Sequence, residues 1–317
     1  MIVVTAPQLI DIEVSGSARR ALLGRASHGV TLDWFGKRIT VRFDEAAAAA
    51  SFRKRYTAFL SCESPDLVVC AVRSGNEAGE PVFFTEPGGA CRYPAALQPD
   101  VVAFLADAVT HRAFFDVNPA LMSFHAAAVR IGDRAAAISA ASTGGKSTTA
   151  LACTRRGMAL YTDERCVLID GRVHAFPRAI NIRKGGMDLL LAHDVPGDSG
   201  IGKRLQPHGG AHWESASFEE IFGDRSFPEP AKLEAIFFIE GRADEPCVVP
   251  LPIDDTIVRL LTAGFSGPAC GMDRVAAATA VFQQTRVYGL TLGSPDESAQ
   301  LIASTTNACE SRLAAAS

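Results

Sequence analysis

Short apolar runs closed by Gly, Pro, Asp or Glu set the rhythm of the first 95 residues. Gly29 to Phe43 holds two β-prone stretches around Gly36-Lys37 and predicts a hairpin, while Leu67 to Arg73 and Pro81 to Thr85 predict further strands. Between them, Asp44 to Leu60 has helix-forming composition, with an alanine tract from Ala46 to Ala50 and Asp44 as its N-cap. The turn-rich stretches Gly75 to Glu80 and Glu86 to Gly89 set a boundary near residue 95. From Pro99, apolar residues recur at helical spacing and predict a helix leading into the second region. Its lone His111 reads as a packing residue ahead of a catalytic one.

The second region alternates strands and helices. Ser123 to Ile131 and Arg134 to Ser139 flank Gly132-Asp133 and predict a hairpin. Pairing about a two-residue turn sets Ile131 opposite Arg134, and His125 roughly opposite Ala140. A loop from Ala140 to Gly145 follows, then a helix with Ala150, Leu151 and Cys153 on its buried face, stopped near Arg155-Arg156-Gly157. Met158 to Thr162 predicts a strand ending in Asp163-Glu164, and Val167 to Asp170 with Val173 to Phe176 a hairpin. Asp188 to Pro228 is Gly-rich and irregular, the profile of a binding loop or lid, although Lys203, Arg204, His208, His212 and Glu214 have the spacing of a solvated surface. Ala231 to Glu240, Cys247 to Leu251 and Val287 to Leu292 predict strands, and Asp254 to Ala263, Met272 to Gln284 and Pro295 to Ala316 predict helices. The pattern is that of an α/β protein with a small strand-rich α/β region at 1–95 and a larger domain at 96–317.

One stretch carries chemistry. Strand, Gly-containing loop, Lys146-Ser147 and helix form an arrangement that binds nucleotide phosphates, because backbone N–H groups and the helix N-terminus converge on one anion. Lys146 would reach the β- and γ-phosphates, and the Ser147 hydroxyl would ligate Mg²⁺. Ala140 stands where the phosphate-loop pattern has its first Gly. A Lys opening a helix is unfavourable at the positive helix end unless an anion sits there, which favours a genuine site over an ordinary strand-turn-helix. Asp163 and Glu164 end a strand one helix later, placed to bind Mg²⁺ or to take a proton from an attacking hydroxyl. His125 joins them through the hairpin register.

Composition narrows the class. With 48% hydrophobic and 21% charged residues the chain has the makeup of a globular protein with a sizeable core, and its net charge of −4 gives no reason to expect nucleic acid or an anionic membrane as partner. No apolar run is long enough to span a bilayer and the first residues lack a signal-peptide pattern, so a cytoplasmic location is expected. Eight scattered cysteines without a C-x-x-C pair read as small buried hydrophobes, with no structural metal.

In order and spacing, Phe124-His125 through Val129, the loop Ser142 through Thr148, Arg156-Gly157, Thr162-Asp163-Glu164 and Phe176-Pro177-Arg178 resemble the HPr kinase/phosphorylase superfamily. The likeness covers about residues 97 to 265. It is strongest to stand-alone members found with peptide natural-product clusters, lasso-peptide kinases among them, to which Leu233 to Glu240 and Val249 to Ile253 are also similar. The resemblance implies an HPr-kinase-like P-loop core sheet with flanking helices. It also implies ATP- and Mg²⁺-dependent transfer of the γ-phosphoryl group to a serine-type hydroxyl of a peptide or small carrier protein, such as a lasso precursor. Carried over by position, Ser142, Thr143, Gly144, Gly145, Lys146, Ser147 and Thr148 bind nucleotide; Ser147, Asp163 and Glu164 hold the metal; and Asp163, His125 and Lys146 are catalytic. Glu164 stands where a second Asp is usual, and Ala140 and Thr143 replace loop glycines. Arg178 and Arg183 are the candidates to meet the transferred phosphate. Related enzymes form oligomers, which leaves a homo-oligomer open. Two alternatives remain beside this reading: a kinase of a free amino acid or metabolite, and a nucleotide-binding regulatory protein without catalysis.

Overall fold

A computed structural model describes residues 9–74, 79–86, 88–118, 120–141, 144–183, 213–216, 221–222, 227–266 and 271–308. It divides into two compact units, Met1–Val117 and Asn118–Ser317.

In the first unit, strands β1 (Ile10–Ile12), β2 (His28–Trp34), β3 (Lys37–Phe43), β4 (Leu67–Arg73), β5 (Pro81–Glu86) and β6 (Ala90–Arg92) form one sheet in the order β1-β6-β5-β4-β3-β2. Only β3 and β4 run parallel, joined through helix α2 (Ala46–Arg55). The β2–β3 turn falls on Phe35 and Gly36, both at positive φ, one residue before the Gly36-Lys37 expected from sequence. Helix α2 begins behind Glu45, not Asp44, because the Asp44 carboxylate instead accepts the Arg73 backbone N–H at 2.8 Å. Helix α1 (Gly16–Arg25), capped by Ser15, was not anticipated.

Helix α3 (Pro99–Val117) completes this unit instead of opening the second, so the structural division falls after Val117 and not near residue 95. The reason is its buried face: Leu105, Phe114 and Phe115 pack into the core that holds Trp34 and Phe52. His111 belongs to that core, with its ring 4.9 Å from Trp34 and Nε2 2.8 Å from the Tyr56 hydroxyl, which also bonds Asp107.

The second unit is built on a nine-stranded sheet. Its strands are β7 (Met122–Phe124), β8 (Ala127–Ile131), β9 (Arg134–Ser139), β10 (Ala159–Thr162), β11 (Cys166–Ile169), β12 (Arg172–His174), β15 (Ala231–Arg242), β16 (Cys247–Pro250) and β17 (Arg286–Leu292); β13 (Ile180–Arg183) and β14 (Trp213–Ala216) pair separately. The chain also forms α4 (Lys146–Arg155), α5 (Ile253–Thr262), α6 (Gly271–Gln283) and α7 (Pro295–Asn307). β15 lies parallel to β9 on one side and to β17 on the other. Its AIFF run is buried on both faces: Ala235 and Phe237 join the core under α4 and α7, Ile236 and Phe238 the core under α5 and α6. Ser294 and Glu297 cap α7 reciprocally.

Direction within this sheet positions the site. β8 is antiparallel to both β9 and β10, so β9, β10, β15 and β17 all point the same way. Their carboxyl ends, and the start of β8, share one edge, where ligands bind in such sheets.

Of the cysteines, Cys70, Cys153 and Cys166 are buried, but Cys62 and Cys247 are exposed and Cys91 is half-buried, contrary to the uniform burial expected. Cys270 and Cys309 lie outside the described residues, as does most of 188–228 with Lys203, Arg204, His208 and His212. No helix among the described residues is long and apolar enough to cross a membrane.

Candidate active site

Strand β9 ends at Ser139, and Ala140 and Ala141 begin the loop; Ser142 and Thr143 lie outside the described residues. Gly144 N–H closes a turn on Ala141 C=O at 2.9 Å. A Cβ on Gly144 would fall 2.8 Å from Ala140 Cβ and 3.0 Å from Ala141 O, so only glycine fits. Gly145 takes φ 101°, a left-handed value that turns the chain into α4. We expect Gly144→Ala to weaken ATP binding about tenfold or more in calorimetry while the thermal midpoint of the free protein moves less, because the strain falls on a half-buried loop outside the core. Unchanged affinity would mean that the loop does not shape the site.

Lys146, the first residue of α4, is 8% exposed. Its Nζ donates to His125 Nε2 at 2.8 Å and lies 3.8 Å from Glu164 Oε2. With Nε2 accepting, His125 Nδ1 carries the proton and donates to Glu164 Oε1 at 3.1 Å. The hairpin explains how His125 arrives: Ile131 pairs with Arg134 as expected, and Ser139 Oγ donates to the His125 carbonyl at 3.0 Å. The carboxylates are held by a local device at the end of β10, where Thr162 Oγ1 accepts the N–H groups of Glu164 (3.3 Å) and Arg165 (3.2 Å). Ser147 Oγ donates to Asp163 Oδ2 at 3.2 Å. Asp163 Oδ1 is buried and receives no hydrogen bond from any of the described residues. Arg178 comes in after β12, where Phe176 N–H bonds the Tyr161 carbonyl, and its buried guanidinium acts on both carboxylates and on Lys146.

The two acids differ sharply. Burial, then the charge of Glu164, pushes Asp163 up to about 6 against the pull of Lys146, Arg178 and the Ser147 hydroxyl. Burial would raise Glu164 too, but Lys146, the His125 hydrogen bond and Arg178 outweigh it and hold Glu164 well below the carboxylate range. Burial lowers Lys146, with Glu164 and Asp163 resisting.

No family model and no curated protein matches this chain. Among solved structures it is similar to the Hpr(Ser) kinase/phosphatase from Coxiella burnetii, at 12% identity, with a TM-score of 0.30, over 61% of this chain and 96% of that one. A score that low assigns no chemistry, so the side chains themselves must.

The structure gathers His125, Gly144, Gly145, Lys146, Ser147, Asp163 and Glu164 at one sheet edge, with Thr148 half-buried on the first turn of α4. Glu164 engages His125 and Lys146, leaving Ser147 to Asp163. Of the two candidate arginines, Arg178 is buried beside the acids, whereas the side chain of Arg183 lies outside what is described. Sequence reasoning missed Arg165, which donates to Ser123 Oγ at 2.9 Å, and Arg242 at the end of β15. Arg242 follows the apolar run of β15 with Glu240 and Gly241 between, and only the parallel pairing of β15 with the loop-bearing strand brings it to the loop.

The oxygen ligands suit a hard cation, since Ser147 Oγ and the Asp163 carboxylate, which has few donors around it, lie on one side of the loop. No group of three or more His, Cys, Asp or Glu that could hold a metal forms among the described residues.

Proposed function

We propose that this protein is an ATP-dependent kinase that transfers the γ-phosphoryl group to a serine-type hydroxyl of a peptide or small carrier protein. One observation carries the reading: a buried lysine opens a helix behind a left-handed glycine, and shares its pocket with a buried aspartate that has one oxygen bonded to the next serine and the other without a partner among the described residues. A cation at the positive end of a helix is stable only with negative charge before it. A buried acceptor without a donor is uncommon in a purely structural site.

The chain's residues divide the work. Backbone N–H groups at the start of α4 and the Lys146 ammonium bind the β- and γ-phosphates. His125 and Glu164 aim Lys146, and Arg178 adds positive charge where negative charge grows on the transferred group. Ser147 Oγ and Asp163 Oδ2 would hold Mg²⁺, which supplies charge neutralisation across the phosphate oxygens when bound. Asp163 Oδ1 takes the proton of the attacking hydroxyl as its oxygen bonds to the γ-phosphorus and the bond to the bridging oxygen of ADP breaks. That proton moves late in a loose transition state, so a carboxylate pushed up to about 6 suffices as acceptor.

The test is intact-mass spectrometry of a precursor peptide encoded beside the gene, an HPr-like carrier and free serine, each incubated with the protein and Mg²⁺-ATP. A phosphoryl gain on the peptide or carrier that disappears with Lys146→Ala is the expected result. A gain on serine alone would make it a small-molecule kinase. ATP binding with no transfer to any acceptor would favour the regulatory alternative.

A further inference from the structure

A cation outside the motif lies against the phosphate loop. A Cβ built on Gly145 would fall 2.8 Å from Arg242 Nη2 and 3.1 Å from Leu292 Cδ1, so the guanidinium rests in the space that the missing side chain leaves. Arg242 and Leu292 are paired at the ends of β15 and β17, after the register shift between Ile239 and Gly241. Such a bulge re-aims the side chains beyond it, here at the carboxyl edge where β9 delivers the loop.

The electrostatics of this placement are unbalanced. Arg242 is exposed, and among the described residues it has neither an ion pair nor a hydrogen bond. Asp244 and Glu245 follow it closely, yet neither pairs with it. It rests instead against the left-handed glycine before α4, at the positive end of the helix that Lys146 opens. An arginine free to turn into water, yet lying over two other sources of positive potential, fits a site in which an anion completes the set. The guanidinium fork suits a phosphate better than it suits the loop backbone, which offers donors and few free acceptors here.

We propose that Arg242 is a phosphate-contacting residue of the nucleotide site, closing over the polyphosphate from the β15 side, opposite the Asp163–Glu164 side. This rests on the reading of the loop as a phosphate site, and specifies which second element clamps the ligand.

Calorimetric titration of the full chain with Mg²⁺-ATP and, separately, with Mg²⁺-tripolyphosphate separates the two ideas. For Arg242→Ala we expect both ligands to bind about 10- to 100-fold more weakly, the range for one or two charge-assisted hydrogen bonds. Arg242→Lys should recover part of the loss, because it keeps the charge without the fork. The ligand-free thermal midpoint should stay put, since Arg242 has no hydrogen-bond or ion-pair partner among the described residues to lose. Wild-type binding with an unchanged Arg242→Ala would overturn the proposal alone. Weakened ATP with unchanged tripolyphosphate would also overturn it, by moving the contact to the nucleoside. Wild type binding neither ligand would remove the phosphate site and this proposal together.

Discussion

Asp163→Asn is expected to lower turnover by about 10²- to 10⁴-fold, the usual contribution of a positioned general base, while ATP affinity changes only a few-fold. Asn keeps the shape and can still accept from Ser147 Oγ, but its amide cannot take a proton. The same variant should make the ligand-free protein more stable, a result that loss of structure cannot imitate. In the folded protein the Asp163 carboxyl is raised to about 6 from 3.8, so the native state binds more protons than the unfolded one between those values. Stability from this group is therefore full below about pH 4 and lost as pH rises through about 6. At pH 7 to 8 the wild type carries a buried charge that the variant lacks, and Asp163→Asn should raise the thermal midpoint, by an amount corresponding to roughly 1–3 kcal/mol. The gain should shrink when both proteins are melted near pH 4. Wild-type turnover should fall on the acid side near pH 6, and the residual activity of the variant should not. Normal turnover in the variant would end the assignment of Asp163 as base. A lower midpoint at pH 8 would contradict the electrostatic account of its burial.

Much of this site was legible because it lies on local rules. The Gly132-Asp133 turn fixes a two-residue hairpin, the hairpin fixes its register, and the register carries His125 to the loop end of β9. The same counting put Asp163 and Glu164 at the end of β10. What local rules could not supply was the division of labour between the acids. Asp163 and Glu164 are adjacent in sequence and the same in charge, yet one is raised and the other depressed, because only Glu164 meets His125 and closely approaches Lys146. That difference is set by three-dimensional neighbours.

The fold shows a similar limit. Helix α3 has helical spacing visible in sequence, but spacing does not say which sheet its apolar face covers, and it closes the first unit rather than opening the second. Arg242 escaped notice for a related reason. It stands more than ninety residues from Gly145 in the chain, and only the parallel pairing of β15 with β9 makes them neighbours.

The geometry also makes Lys146 part of a buried charge cluster, which gives its replacement two separable effects. On the proposed function, Lys146→Met should lower kcat/KM for phosphoryl transfer by about 10³-fold or more, because the buried ammonium would meet the phosphates in a water-poor pocket. Methionine preserves the length and apolar stem, so no large cavity confuses the result. At neutral pH this variant sheds the burial cost that lowers Lys146 but leaves Glu164 and Asp163 facing each other with one cation fewer, so the ligand-free protein should lose only about 1 kcal/mol. Without Lys146 the pull that keeps Glu164 low weakens, its folded pKa rises, and part of the lost stability should return as pH falls and the carboxyls take up protons. Adding Glu164→Gln should restore the neutral-pH midpoint without restoring activity, because it removes the uncompensated charge but not the missing phosphate contact. Melting curves at two pH values for the single and double variants, beside ATP titrations, would show this. If the double variant is no more stable than Lys146→Met, the two residues are not coupled, and the ammonium is held by the loop rather than by the His125–Glu164 pair.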